Sequence, residues 1–351
     1  MRRGGVAGTG SRRRAVGGPV AAVLAAVAAV AGCARGNGQT ADQVVPGSCG
    51  AALPVAFLPP ELGEASGMTR DPRRDDLFWI HNDSGNEALL FGVDTTGAVV
   101  SRVRITGASD RDLEDVAVGR CGPDWCLYLG DIGDNLAAHP SIRVYEIPLP
   151  ELPRDASQST AAGAGGRPGP YDQVVTPRAA WDLVFPDGAR DAEALLVDDA
   201  AGELLLVTKG REARVEMYAA GLAELADAAG ATFTLRPMGD LRVPAGENTA
   251  QFITAGDISP DGRFLAIRSY ISLYLLPWGE DSGRDPSVAP VAASLISAFE
   301  PQGEALTWSR DGTTVWLASE GRDGRPPQLS RIPCPPPEPA ADPDPPARRN
   351  P

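Results

Sequence analysis

The chain has 351 residues, 43% of them hydrophobic and 22% charged, with 46 acidic against 32 basic side chains and a net charge of −14. That balance argues against holding a phosphate backbone or an anionic surface by general electrostatics. The hydrophobic share is enough for a packed globule, which excludes a wholly disordered chain.

Met1–Gly32 reads as a targeting segment. Arg2, Arg3 and Arg12–Arg14 precede a small apolar run, Ala15–Ala31, which ends in Val30-Ala31-Gly32-Cys33. That ending resembles a bacterial lipobox, in which cleavage precedes a cysteine that then receives lipid. Cys33 is therefore the expected lipidation site, and an ordinary cleaved signal is the alternative. The arginines also faintly resemble a twin-arginine export signal. Such segments are set aside from fold reasoning. Residues 1–32 carry five arginines and no acid, so their removal takes the charge to −19. Residues 33–48 form a polar tether. The expected location is the cell envelope, on the outer face of the cytoplasmic membrane, with the lipid anchor as the sole membrane contact.

From residue 49 to 334 one pattern repeats. Glu114-Asp115-Val116-Ala117 opens a strand, and counterparts open at Ser66, Glu193, Gly256 and Glu304. Each is followed by a turn and a second hydrophobic strand: LFWIHNDSG at 77, LYLGDIGDN at 127, LLLVTKG at 204, FLAIRSY at 264 and TVWLASEG at 314. Third strands follow in each unit and fourth strands in most. Turn pairs Thr96-Gly97, Asp187-Gly188, Asp261-Gly262 and Asp311-Gly312 fall between them, as hairpins require. Four short strands per unit of roughly 40–50 residues predict an all-β fold, a β-propeller. Five blades can be counted, and the two long steps leave room for a sixth.

The last unit lacks a fourth strand, while Leu53–Leu58 is a spare strand at the start. An N-terminal strand is therefore expected to close the ring. Cys49 and Cys334 lie just outside these two strands, which predicts a disulfide across the closure. Cys121 and Cys126 bracket the Gly122-Pro123 turn and can staple it. Zinc is the rival reading of that local pair, but export favours oxidation. Residues 151–170 are a low-complexity insertion, expected to be disordered. Ala219–Ala229 is expected to hold a short helix with Leu222 and Leu225 inward. Residues 335–351 form a proline-rich tail with no periodicity.

Chemistry is expected where second strands end and first strands begin, since a propeller gathers these points around one mouth of its channel. Glu114, Asp115, Asp131, Asp134 and Asn135 sit at the two ends of one hairpin and predict a rim of oxygens for Ca²⁺, which takes six to eight such ligands. Carboxylates at strand starts also cap turns, which is the plainer role for many of them. The other strand ends supply candidate ligand-binding residues: His81, Asn82, Asp83, Lys209, Arg268, Tyr270, Glu304 and Glu320. Lys209 is the sole lysine of the chain. With Arg268 it is expected to hold an anionic group.

At these residues the chain resembles a group of bacterial envelope propellers related to the SdiA-regulated and phytase-like esterase proteins. The segments carrying the likeness are His81-Asn82-Asp83-Ser84-Gly85, Asp112-Leu113-Glu114-Asp115-Val116-Ala117, Gly130-Asp131-Ile132-Gly133-Asp134-Asn135, Thr208-Lys209 and Gln302-Gly303-Glu304-Ala305. The likeness spans most of residues 60–332. It implies the propeller fold and, through the phytase-like members, calcium-assisted phosphoester hydrolysis. Two functions follow as expectations. The first is a monomeric, lipid-anchored binding or scaffold propeller holding a cation and a small anionic or peptide ligand, with no nucleic-acid partner. The second is a metal-dependent hydrolase of phosphoesters or esters. There Glu114 or Glu193 acts as base on a metal-bound water, and Lys209 and Arg268 steady the anion. No Gly-x-Ser-x-Gly elbow is present, which argues against serine hydrolysis.

Overall fold

The structure, a computed structural model, describes residues 49–83, 85, 87–109, 111–152, 171–228, 230–246 and 248–334. The expected signal segment and tether, Cys33, the insertion from residue 153 to 170 and the tail lie outside the described residues. The described chain begins with β1 (Leu53–Phe57). Blade 1 then follows as β2 (Ala65–Arg70), β3 (Leu77–Asn82), β4 (Leu89–Asp94) and β5 (Val99–Ile105). Blade 2 is β6 (Leu113–Cys121), β7 (Asp124–Asp131) and β8 (Ile142–Pro148), continued after β9 (Gln173–Val175) by β10 (Ala179–Val184). Blade 3 is β11 (Ala192–Asp198), β12 (Glu203–Thr208) and β13 (Glu216–Gly221). A short helix α1 (Leu222–Asp227) and β14 (Phe233–Thr234) intervene before its last strand, β15 (Arg236–Asp240). Blade 4 is β16 (Ile253–Ile258), β17 (Phe264–Ser269), β18 (Ser272–Pro277) and β19 (Val291–Ser294). Blade 5 is β20 (Gln302–Trp308), β21 (Thr314–Glu320) and β22 (Gln328–Pro333).

Five antiparallel blades form a closed ring, with the first strands β2, β6, β11, β16 and β20 innermost and each against the next. The ring closes as expected. β1 pairs with β22, Leu53 opposite Arg331 and Phe57 opposite Gln328. Gly50 N donates to Pro333 O at 2.7 Å. Cys49 is bonded to Cys334 and Cys121 to Cys126.

The alternation in the sequence has a direct cause. Side chains on a strand point to opposite faces in turn, and each blade is sandwiched between two others. In β12, Leu204 and Leu206 pack on blade 2, whereas Leu205 and Val207 pack on blade 4. Five hydrophobic layers result, one per blade junction. A central strand such as β11 is thus buried at all seven positions. The hairpin glycines take the left-handed backbone that their turns need, as at Gly97 (φ 83°) and Gly262 (φ 71°).

Two local expectations are corrected. The helix is shorter than residues 219–229, because Ala219, Ala220 and Gly221 stay in the ladder opposite Leu205, Leu204 and Glu203. Leu225 is buried as expected, and Leu222 packs partly against the same layer. Residues 232–238, TFTLRPM, which the sequence pattern reads as the single fourth strand of this unit, are divided between two strands. Phe233–Thr234 pairs parallel with β10 of blade 2, and only then does β15 complete blade 3. Gln173–Val175 likewise pairs parallel with β5 of blade 1. The long steps between units therefore hold extra outer strands of the preceding blades, not a sixth blade.

Candidate functional site

Every first strand carries an irregularity at the same place. In β6 the pairing passes from Leu113–Asp131 to Asp115–Gly130, leaving Glu114 extra. In β11 the extra residue is Glu193, in β16 Thr254, and in β20 Glu304. In β2 the break falls at Ser66-Gly67. A bulge adds one residue and re-aims its side chain. The three glutamates are therefore one structural position seen in three blades. In the other two blades that position holds a hydroxyl that ties one blade to the next: Ser66 Oγ donates to Glu114 O at 2.9 Å and Thr254 Oγ1 to Gly303 O at 3.1 Å. The fourth counterpart is thus Thr254, two residues before the Gly256 expected from the repeat. Asp257 points away from the mouth and accepts from Arg70, Thr307 and Trp308 N.

The second-strand residues opposite the bulges are Asn82, Asp131, Thr208, Ser269 and Ser319. The next residue in each blade is Asp83, Ile132, Lys209, Tyr270 or Glu320. Four of these five share an electrostatic environment with the bulge glutamates. The mouth is thus built from Asp83, Glu114, Glu193, Lys209, Tyr270, Glu304 and Glu320. Two acids not singled out from the sequence join them, Asp112 and Asp191. Each stands two residues before a bulge glutamate, so the repeated Asp-x-Glu of Asp112–Glu114 and Asp191–Glu193 was the available signal.

Asp83, Asp112 and Glu114 each place an oxygen within 4.8 Å of the others, and so do Glu114, Asp191 and Glu193. Glu114 belongs to both groups. It is 6% exposed, and its carboxylate has no hydrogen-bond donor among the described residues. Gly133 makes the approach possible, since a Cβ there would collide with the Asp112 and Glu114 carboxylates. Lys209 Nζ donates to Glu193 and supplies the internal cation of the second group. Arg211 bonds Asp191 at 2.7 Å and also donates to Asn135.

Burial and mutual repulsion dominate the electrostatics. Burial raises Glu114 well above the ordinary carboxylate range, and Glu193 pushes it further. Glu193 is also raised by burial, against the pull of Lys209. Asp112 is pushed up to about 6, Glu304 to about 7 and Glu320 to about 8, burial being the largest cause each time. Lys209 is raised despite its burial, because Glu193, Glu114 and Asp191 surround it. The phenol of Tyr270 is raised by burial and by Glu304.

The rim of five oxygens expected from one hairpin is divided. Only Glu114 turns into the mouth. Asp115 is fully buried and accepts from Val116 N at 2.8 Å and Leu195 N at 2.9 Å, tying blade 2 to blade 3. Asp131 accepts from Ser109 Oγ and Asp112 N, and Asp134 caps its own loop by accepting from Ala138 N and His139 N. Asn135 is engaged by Arg211 outside the cluster. Backbone amides take these acids because strand ends leave N–H groups unpaired.

Three ligand candidates also lie away from the mouth. Arg268 is fully buried and bonds Glu300 at 2.7 Å and Ala305 O at 2.8 Å, so it clamps blade 4 to blade 5. The glycine at 303 is required for that clamp, since a Cβ there would overlap the guanidinium. His81 is fully buried, its Nδ1 donating to Asn82 O at 2.8 Å, and burial lowers its pKa so that it is neutral. Asn82 donates to Glu61 O. Lys209 and Arg268, the two cations expected to hold an anion, are thus each paired with a glutamate, Glu193 and Glu300.

Fold and mouth together define a five-bladed propeller with an acidic channel entrance. No protein-family model matches the chain, and no curated protein matches it. The likeness to the envelope propellers thus has the fold behind it and nothing finer.

Proposed function

We propose that this protein is a lipid-anchored, extracytoplasmic binding propeller whose channel mouth takes one divalent cation, with Ca²⁺ the best match. The observation that carries this reading is Glu114, a buried carboxylate held against four others with no donor of its own among the described residues. Such a group must take up a proton or a cation. Asp83, Asp112 and Glu114 offer hard oxygen ligands of the kind Ca²⁺ prefers, with water to complete the shell. The neighbouring group already has its cation in Lys209. A small anionic or peptide ligand would then approach the bound metal rather than Lys209 or Arg268, both of which are engaged.

The anchor rests on the sequence Val30-Ala31-Gly32-Cys33, and the envelope location follows from it. No helix among the described residues is long and apolar enough to cross a membrane. Calorimetric titration with CaCl₂ at pH 7.5 should give one site per chain and a raised melting temperature, with Mg²⁺ weaker. No heat and no thermal shift at millimolar Ca²⁺ would refute the cation. Cys33→Ser should release the protein from membranes, and unchanged partitioning into detergent would refute the anchor.

A further inference from the structure

One face of the closure is apolar in a way that the fold does not require. Residues 49–60 and 286–299 carry no charged side chain, although 22% of the chain is charged. The two stretches are far apart in sequence and lie together in space. Ser297 Oγ donates to Ala52 O at 2.9 Å. Gln328, the register partner of Phe57, donates through its side chain to Ala298 O at 2.7 Å. The turn Ile296–Phe299 therefore runs beside β1. Phe57 is 68% exposed, Ile296 65% and Phe299 71%, with Leu53 and Val55 also open to solvent.

Two further features mark this face as a contact surface. β1 is the outermost strand of its blade, with one edge unpaired among the described residues. Its backbone edge is blunted by Pro54 and by the bulge between Pro54 and Ala56, not by charge, so what the strand LPVAF offers outward is apolar side chains alone. Phe299 sits in the left-handed backbone region at φ 55° with its ring pointing to solvent. That conformation costs an aromatic residue free energy and gains no packing in the isolated chain.

We propose that this face rests on an anionic lipid bilayer, with Phe57, Ile296 and Phe299 entering the interface. The proposal rests on the lipid-anchor reading in one respect, the tether. Fifteen residues lie between Cys33 and Cys49, where the domain is stapled. A random-coil segment of fifteen residues would span about 21 Å, short enough to hold the domain at the membrane. Charge supplies the orientation. Exposed Arg331 stands opposite Leu53, and exposed Arg325 donates to Phe299 O. These are positive groups beside an apolar patch on a molecule of net charge −19 without its signal. Anionic headgroups attract that edge and repel the rest. Aromatic rings at the headgroup level are the usual anchors of such a contact.

The test uses the full lipidated protein on phosphatidylglycerol–phosphatidylcholine vesicles containing brominated lipid. Single reporters are Phe57→Trp, Phe299→Trp and, as a control on the outer strand of blade 1, Val174→Trp, also an exposed position. The first two should lose at least about half of their added fluorescence to the bromolipid, and the control should lose none. Adding Arg325→Glu and Arg331→Glu to the Phe299→Trp reporter should reduce quenching severalfold. Equal quenching of all three reporters, or of none, overturns the proposal. So does a concentration-dependent blue shift of the Phe57 and Phe299 reporters in lipid-free detergent, which would assign the face to a second copy. Mass spectrometry of the mature N-terminus reports the anchor independently. An unacylated Cys33 with selective quenching retained refutes the anchor alone and supports the face.

Discussion

Glu114→Gln tests the mouth most directly, because it keeps the shape of the side chain and removes the charge shared by both acidic groups. Oxygens of Glu114 lie within 4.8 Å of those of Asp83, Asp112, Asp191 and Glu193. At an effective dielectric of 20, two like charges at that separation repel by about 3.5 kcal/mol. Lys209 cancels part of this, and proton uptake caps the remainder. A net gain of about 2–3 kcal/mol is therefore expected for the metal-free variant at pH 8. For a domain of this size that raises the melting temperature by roughly 4–12 °C. Calcium should act in the opposite sense on the comparison. At a concentration 100 times its Kd it adds about 2.7 kcal/mol to the wild type, and the variant should lose nearly all of that response. The assay is differential scanning calorimetry at pH 8, with EDTA and with CaCl₂. A variant less stable than wild type in EDTA, or one with an undiminished calcium shift, would show that the carboxylates are neither in conflict nor ligands.

Arg268→Met should cost about 3–5 kcal/mol, because it leaves Glu300 buried without its partner, yet it should not change calcium binding. A loss of calcium binding in a folded variant would return Arg268 to the site. Metal-free stability should fall as pH rises from about 5 to 8. Asp112, Glu304 and Glu320 titrate near 6, 7 and 8 in the folded chain and near 4 when unfolded. The folded state thus binds more protons across that window, and stability is lost as pH climbs. Urea midpoints that rise over the same range would contradict this. Replacing both Cys49 and Cys334 by alanine opens the ring closure and should cost about 5–6 kcal/mol in the chain-entropy model; a change under about 1 kcal/mol in chemical denaturation would mean that β1–β22 pairing holds the closure alone.

Much of the architecture is local and so can be read from the chain. Strand alternation records which residues face each blade junction, and Gly97, Gly188, Gly262 and Gly312 mark turns because only glycine takes their backbone cheaply. The spare strand Leu53–Leu58 and the flanking cysteines likewise announce the closure. The short parallel strands β9 and β14 were not legible, since three and two residues carry too little pattern and their partners lie in the previous blade.

The sequence by itself determined that acids cluster at the strand ends of this protein. Only the tertiary structure decided which of them compete for one space. Glu114 and Asp115 are neighbours in the chain, yet one enters the channel mouth and the other is spent on the amides of Val116 and Leu195. The cause is the bulge between Leu113 and Asp115, which turns one side chain inward at a point set by pairing with β7. The same holds for Arg268, whose guanidinium reaches blade 5 over a residue without a side chain, Gly303. Side-chain direction at a bulge and the pairing of a buried charge both depend on strands distant in sequence, so no local pattern encodes them.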